Sequence, residues 1–232
     1  MTKKFPRKES NRRIRLEQHI LDLVGSLVKA IDAHDRYTFN HSLNVAKYAS
    51  SIGLVMKLPI ESCRSLFYGG LLHDVGKIGV PEHILNKQGQ LSHTDFEIVK
   101  HHSQIGYEIL DVSIFKEKEI NLMALYHHER VNGNGYPSGL KGEQIPQMAR
   151  IMAVADVYDA MTTKRSYRPA LSHELAMDHL REGSGSLYDS IVVKAFQKLM
   201  EDRISKQEQI VGFENVRVHG ISKFQSHHQV YS

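Results

Sequence analysis

Leu71-Leu72-His73-Asp74-Val75-Gly76-Lys77 decides how this 232-residue chain is read. An apolar helical pattern that includes Leu66 runs through Leu71-Leu72 and delivers a histidine and an aspartate side by side. Neighbours on a helix point about 100° apart, so His73 and Asp74 cannot both belong to one core stripe, yet they can flank a cation placed between them. A carboxylate buried behind two leucines needs a partner or a metal. Unlike a neutral imidazole, it can also bridge two cations.

The same residue types recur in a fixed order on either side. His41 lies upstream; His102, His127-His128 and Asp156 lie downstream. Asp156 follows the apolar run Ile151-Met152-Ala153-Val154-Ala155, so it faces the same burial problem as Asp74. Nitrogen and oxygen ligands of this kind suit Fe, Mn, Ni, Co or Zn and not a structural thiolate site. The set is larger than one ion usually draws from protein. It points to two metals in one pocket, an arrangement used to cleave phosphate esters. Taken singly, a buried histidine is usually a hydrogen-bonded member of the core. His19, His34, His93, His101, His173, His179, His219, His227 and His228 keep that plainer reading.

Around these clusters the pattern is helical. Ile20, Leu23, Val24, Leu27 and Ile31 follow the 3.6-residue period, and Val45, Ala46, Ala49, Ile52 and Met56 repeat it. The first stripe fits a homodimer through this helix or, preferably, packing on its own domain. Pro59 precedes a third helix that reaches His73-Asp74 and ends at Gly76, Gly79 and Pro81; residues 77–92 read as loop. Ser92 and Asp95 make a capping pair for a helix to about Leu110. Another helix carries Ile120, Met123 and Ala124 into His127-His128. A long Gly/Pro-rich loop follows, with Gly133, Gly135, Pro137, Gly139 and Gly142; loops of this length in a compact domain are usually functional. Helices are expected from about Gln147 to Met161, over 173–182 and over 189–203. The chain therefore reads as all-α, with a basic N-terminal arm (residues 1–15), one domain (16–203) and a C-terminal extension (204–232). In that extension, Val211, Phe213, Val216, Val218 and Ile221 allow a short hairpin or a disordered tail.

Composition excludes several alternatives. Net charge is only +4, and the excess crowds into Lys3, Lys4, Arg7, Lys8, Arg12, Arg13 and Arg15, so no duplex nucleic-acid groove is indicated. Cys63 is the sole cysteine, which rules out an intrachain disulfide and fits a reducing compartment. No apolar run approaches the ~20 residues of a membrane span, and no signal-type segment follows the basic start. The expected location is cytoplasmic.

With these residues in view, the chain resembles the HD-GYP family of bacterial cyclic-dinucleotide phosphodiesterases, a branch of the HD phosphohydrolase superfamily. The likeness runs from about Val24 to Met200. It rests on His73-Asp74-Val75-Gly76-Lys77, Gly135-Tyr136-Pro137, His127-His128-Glu129-Arg130, the stretch Ala149 to Met161, and Arg165-Ser166-Tyr167-Arg168. The resemblance implies an HD-superfamily helical bundle around a central metal centre, two divalent ions, usually iron or manganese, and cyclic di-GMP as substrate, opened to pGpG and sometimes on to GMP. It implies that His41, His73, Asp74 and Asp156 are the shared ligands, that Asp74 bridges, and that His102, His127 and His128 complete the second metal. Lys77, one helical turn from His73, would hold a phosphate oxygen beside Asp74 as catalytic groups. Gly133, Gly135, Tyr136 and Pro137 would shape the mouth, Tyr136 by stacking on a base or by pinning the loop. Arg165 and Arg168 would approach the substrate phosphates. Tyr37 stands where some members have a glutamate for a third metal, so two ions are expected. Asn132 replaces a common Asp, and Asn40 a common Gly in a turn before His41. The alternatives are preference for another cyclic dinucleotide such as cyclic GMP-AMP, and a non-catalytic cyclic-di-GMP sensor.

Overall fold

Small residues let the central helices approach closely, and that approach sets the depth of the site. The computed structural model describes residues 7–34, 38–164 and 169–206. Tyr37, Arg165, Arg168 and the expected hairpin lie outside the described residues. Eleven α-helices occur among those described: α1 (Arg7–His34), α2 (Thr38–Val55), α3 (Ile60–Leu72), α4 (Glu82–Leu85), α5 (His93–Lys100), α6 (His102–Ile109), α7 (Ser113–Lys116), α8 (Ile120–Tyr126), α9 (Gln147–Thr162), α10 (His173–Glu182) and α11 (Ser190–Lys206). Two short 3-10 turns, Val75–Gly79 and Gly142–Gln144, join them. The described residues hold isolated bridges, Asn132 to Lys141 and Ser184 to Tyr188, and no strand. The all-α expectation holds, and no helix of the described residues is long and apolar enough to cross a membrane.

α2 packs along both α3 and α9. Val45, Ala46, Ala49 and Ile52 of α2 are fully buried, and a Cβ on Gly70 of α3 would fall 2.4 Å from the Ala46 Cα. α9 is buried on nearly every side, from Ile151 through Asp156 to Asp159. A helix apolar all round belongs in the interior, and this one carries its two aspartates there with it. Tyr48 of α2, Tyr158 of α9 and Phe196 of α11 meet edge to face and seal the far end.

α1 packs on its own domain, against α2, α3 and the Val75–Gly79 turn. Its buried residues are Ile20, Leu21, Val24, Val28 and Ile31, whereas Leu23 is 45% exposed. The stripe expected from the sequence is thus rotated slightly, with Leu23 facing outward. The helix also starts at Arg7, inside the stretch expected to be the basic N-terminal arm.

Three local expectations are corrected. Residues 77–92 are not simple loop: the chain makes the Val75–Gly79 turn and then α4, which Pro81 can enter because a helix start needs no N–H there. The helix expected from Ser92 to Leu110 is split at His101 into α5 and α6. There the Val99 carbonyl accepts from the His102 ring, at 2.6 Å, a side-chain insertion of the kind that breaks a helical ladder. The Ser92–Asp95 capping box is present as expected. Asn40 lies inside α2, so the residue before His41 is helical and not left-handed.

The Val75–Gly79 turn is pressed onto α6. A Cβ on Gly76 would sit 1.9 Å from the His102 carbonyl oxygen and 2.4 Å from the Gly106 nitrogen. This contact is what carries His73-Asp74 to His102. Gly76→Ala is expected to force backbone apart and cost about 1–3 kcal/mol or more. A urea-denaturation midpoint checks it, and an unchanged midpoint would contradict the role given to this contact.

Candidate metal centre

Five separate elements deliver the seven residues. His41 comes from α2, and His73-Asp74 from the end of α3. His102 opens α6, His127-His128 close α8, and Asp156 comes from the middle of α9. All are buried except His128, whose side chain is 21% exposed. Asp74 lies between two sets of nitrogens. Its Oδ2 is 3.3 Å from His73 Nε2 and 3.9 Å from His41 Nε2. Its Oδ1 is 3.4 Å from His102 Nε2 and 3.9 Å from His127 Nε2. Asp156 also faces both sets, with Oδ1 3.2 Å from His41 Nε2 and Oδ2 4.0 Å from His128 Nδ1. Two groups, His41–His73–Asp74 and Asp74–His102–His127–His128, each bring one ligand atom per residue within 4.8 Å of one another.

The backbone fixes the tautomers. Nδ1 of His73 faces the Gly70 carbonyl at 2.8 Å, that of His102 the Val99 carbonyl at 2.6 Å, and that of His127 the Ala124 carbonyl at 2.9 Å. A carbonyl can only accept, so each Nδ1 carries the proton and a neutral ring presents a bare lone pair at Nε2. These lone pairs point at other electron-rich atoms. His73 Nε2 is buried with no hydrogen-bond partner while facing two carboxylate oxygens. His102 Nε2 and His127 Nε2 face each other at 3.4 Å. Lone pairs converging in a buried space are unfavourable unless a cation lies among them. The donor set therefore fits divalent metal ions.

Charge supports the same reading. Burial, followed by the charges of His73 and His102, pushes the His127 imidazole down to about 3. Burial likewise lowers His102 and His128. A proton is thus not the cation these rings are built to take. Burial would raise both aspartates, but Lys77 beside Asp74 and the His41 hydrogen bond to Asp156 outweigh it and hold both well below the usual carboxylate range. His41 is the exception. Burial lowers it, but hydrogen bonds to Asp156 and Asp159 outweigh that and raise it to about 9. Without metal, its Nε2 proton occupies the space between the carboxylates.

Two residues outside the expected set support the site. Asp159 Oδ2 accepts from His41 Nδ1 at 2.7 Å, and Asn44 donates to Asp159 Oδ1 at 2.8 Å. Glu129, 2% exposed, accepts from the Ser138 and Leu140 backbone nitrogens at 2.7 and 3.1 Å, which ties down the loop after His128. The spacing of Asp159, three residues after Asp156 on one helix face, was the available signal for the first. The second was marked only by its place in the His127-His128-Glu129-Arg130 stretch, which by itself gave it no role.

The loop itself depends on glycine. A Cβ on Gly135 would lie 2.4 Å from both the Arg130 nitrogen and the Glu129 Cα. Gly133 has φ +85°, which favours glycine. Tyr136 stacks on His128 with ring centroids 4.6 Å apart, and the Tyr136–Pro137 peptide is cis. Burial, then the charges of Asp156 and Asp74, raise the Tyr136 phenol, so it stays protonated. The Asn132 side chain accepts from the Asn134 nitrogen at 2.9 Å, a loop contact that an aspartate would also make. Lys77 stands on the 3-10 turn and not one α-helical turn from His73; its ammonium is 2.8 Å from Asp74 Oδ2.

A helical bundle with its histidines and aspartates gathered at the junction of five elements defines a class of helical domain built around a candidate metal centre. The HD domain family model matches residues 25–192. The chain belongs to the HD domain family, in its HD-GYP branch. It is 36% identical over 198 residues to the cyclic di-GMP phosphodiesterase response regulator RpfG of Xanthomonas campestris, covering 85% of this chain and 51% of that one. It is 39% identical to the cyclic di-GMP phosphodiesterase PA4108 of Pseudomonas aeruginosa, covering 75% and 41%. It is 34% identical to 3'3'-cGAMP-specific phosphodiesterase 1 of Vibrio cholerae, covering 71% and 38%. The chain thus spans about half or less of the length of these relatives. Among solved structures, an HDG"Y"P protein from Bdellovibrio bacteriovorus shares the fold, with TM-score 0.61, 18% identity, and coverage of 79% of this chain and 63% of that one.

Binding of Mn at this cluster must displace the His41 proton, so apparent affinity is expected to rise about tenfold per pH unit from pH 6.5 to about 9 and then level off. Chelator competition across that range reads the slope; a flat profile would count against His41 as part of the site. In the metal-free protein the sign is opposite. His41 is raised on folding, so its contribution to stability is complete below about pH 6.5 and is lost as pH rises through about 9. Asp159→Ala is expected to weaken metal binding about 10- to 100-fold by freeing the His41 ring, measured by the same competition.

Proposed function

We propose that this chain is a metal-dependent phosphodiesterase that opens cyclic di-GMP to linear pGpG, with cleavage on to GMP as a further step. The observation that carries the reading is the pair of histidine groups sharing Asp74 beneath the Gly135-Tyr136-Pro137 loop. Relatives named as cyclic di-GMP phosphodiesterases at 36–39% identity support it. The activity is assigned to residues 16–203 and to the cytoplasm.

In this reading His41, His73, Asp74 and Asp156 hold one ion, and Asp74, His102, His127 and His128 hold the other, with iron or manganese as the occupants. Ions held there supply Lewis acidity to the phosphoryl oxygens and an activated nucleophile at neutral pH. The remaining work belongs to the chain. The carbonyls of Gly70, Val99 and Ala124 keep three rings in the ligating tautomer. Asp159, held by Asn44, does the same for His41. Lys77, at the rim of Asp74, meets a phosphate oxygen and offsets the charge that gathers in the transition state. Gly133, Gly135, Tyr136 and Pro137 form the mouth, and Glu129 holds that loop against the site. Arg165 and Arg168, outside the described residues, are assigned to the substrate phosphates on the family resemblance alone.

A second reading, preference for cyclic GMP-AMP, is favoured by the relative named as 3'3'-cGAMP-specific. Protein loaded with Mn or Fe and offered each cyclic dinucleotide is expected to convert cyclic di-GMP to pGpG, resolved by chromatography. Faster turnover of cyclic GMP-AMP would favour the second reading, and no turnover of either would sink both. Asp74→Ala is expected to lose metal and activity together. Lys77→Ala is expected to keep its metal and lose about 100-fold in kcat, the scale of losing one transition-state contact.

A further inference from the structure

We propose that Phe96 is the platform on which one nucleobase of the substrate stacks; this rests on the cyclic-dinucleotide reading above. A ladder of rings leads outward from the buried cluster. His127 and His128 are 4.0 Å apart, His128 and Tyr136 stack at 4.6 Å, and Tyr136 meets Phe96 edge to face at 6.3 Å. Tyr136 has committed a face to His128, which makes it a pin for the loop. Phe96 stands at the outer end of the ladder and is 43% exposed.

Phe96 is not there to serve the core, because α5 contributes no buried residue. Single exposed apolar side chains are ordinary. Leu175 and Ile191 are also exposed, at 56% and 65%. What separates Phe96 from them is its ring contact with the Gly-Tyr-Pro loop and the charge beside it. The Lys100 ammonium lies over one face of the Phe96 ring, 4.9 Å from its centroid, and over the Tyr136 ring at 5.5 Å, and it pairs with Glu97 at 2.7 Å. A half-exposed ring with a cation on one face has its other face for stacking, which matches a ligand made of flat bases and phosphates.

The platform is also held in register with the chemistry. The Ser92–Asp95 capping box fixes the start of α5, and Lys87 pairs with Asp95. Near its other end the Val99 carbonyl accepts from the His102 ring. The helix that presents Phe96 therefore orients a residue of the metal cluster as well. Stacking uses the π-face that every base has. Phe96 then adds affinity for guanine and adenine alike and does not choose between them.

The test is steady-state kinetics of Mn-loaded protein on cyclic di-GMP and cyclic GMP-AMP. Phe96→Ala is expected to raise KM about tenfold for both substrates, with the smaller part of the change in kcat. Phe96→Trp is expected to restore KM. Phe96→Leu, which keeps an apolar contact without a ring, is expected to behave like Phe96→Ala, and it decides the matter if Phe96→Ala fails to fold. An unchanged KM in Phe96→Leu or Phe96→Ala, a loss confined to kcat, or a folded Phe96→Trp with the alanine KM would overturn the proposal while wild-type turnover left the phosphodiesterase reading standing. Wild-type protein that neither binds nor cleaves either dinucleotide would overturn both.

Discussion

The whole arrangement depends on one buried carboxylate. Asp74 is 4% exposed, and each of its oxygens faces a different pair of imidazole nitrogens. Taking a charge out of water is costly unless it is matched. Lys77 matches part of it. Apart from the His41 proton, the surroundings offer lone pairs, because backbone carbonyls have claimed the Nδ1 hydrogens of the other three rings that face Asp74. Such a pocket is poorly satisfied by the protein alone. Its electrostatics favour small, highly charged cations, which is the condition a hydrolytic metal centre requires.

Holding that carboxylate in place is a matter of backbone approach. Gly70 lets α3 lie against α2 at Ala46, and Gly76 lets the turn after Asp74 lie against α6. These two contacts fix the ends of one short segment. Between them, His73 and Asp74 have little freedom to move away from His41 on one side or His102 on the other. α9 supplies the floor, where an almost wholly buried helix carries Asp156 into the cluster and Asp159 behind His41. Helices and the turns that directly end them thus hold all of the candidate ligands, which suits a site that must keep several donors converged.

The mouth is built differently. The loop from Glu129 onward folds back on itself through Gly135, and the buried Glu129 carboxylate takes its backbone amides. Tyr136 is locked to His128, so loop and metal cluster are one mechanical unit. α5 stands opposite, without buried residues yet anchored by its cap and by the Val99–His102 bond. The loop and α5 are therefore coupled to the cluster through single side-chain contacts.

Helices and candidate ligands were legible in sequence because both are local or compositional signals. Apolar periodicity marks a helix face, and a histidine or aspartate at the end of an apolar run must be satisfied somewhere. The seven residues His41, His73, Asp74, His102, His127, His128 and Asp156 were singled out by their fixed order along the chain and by the resemblance to the HD-GYP family, and they converge. Other features arise only from contacts between distant segments. The break at His101 follows from a side chain claiming a carbonyl, and Leu23 faces outward because α1 docks at a slightly different rotation. Asp159, Glu129 and Phe96 gain their significance from His41, from the amides of residues 138 and 140, and from Tyr136. The sequence by itself determined which residue types could bind metal and that helices would carry them. The tertiary structure decided which lone pairs point at one another, because that depends on backbone approach distances that no local pattern encodes.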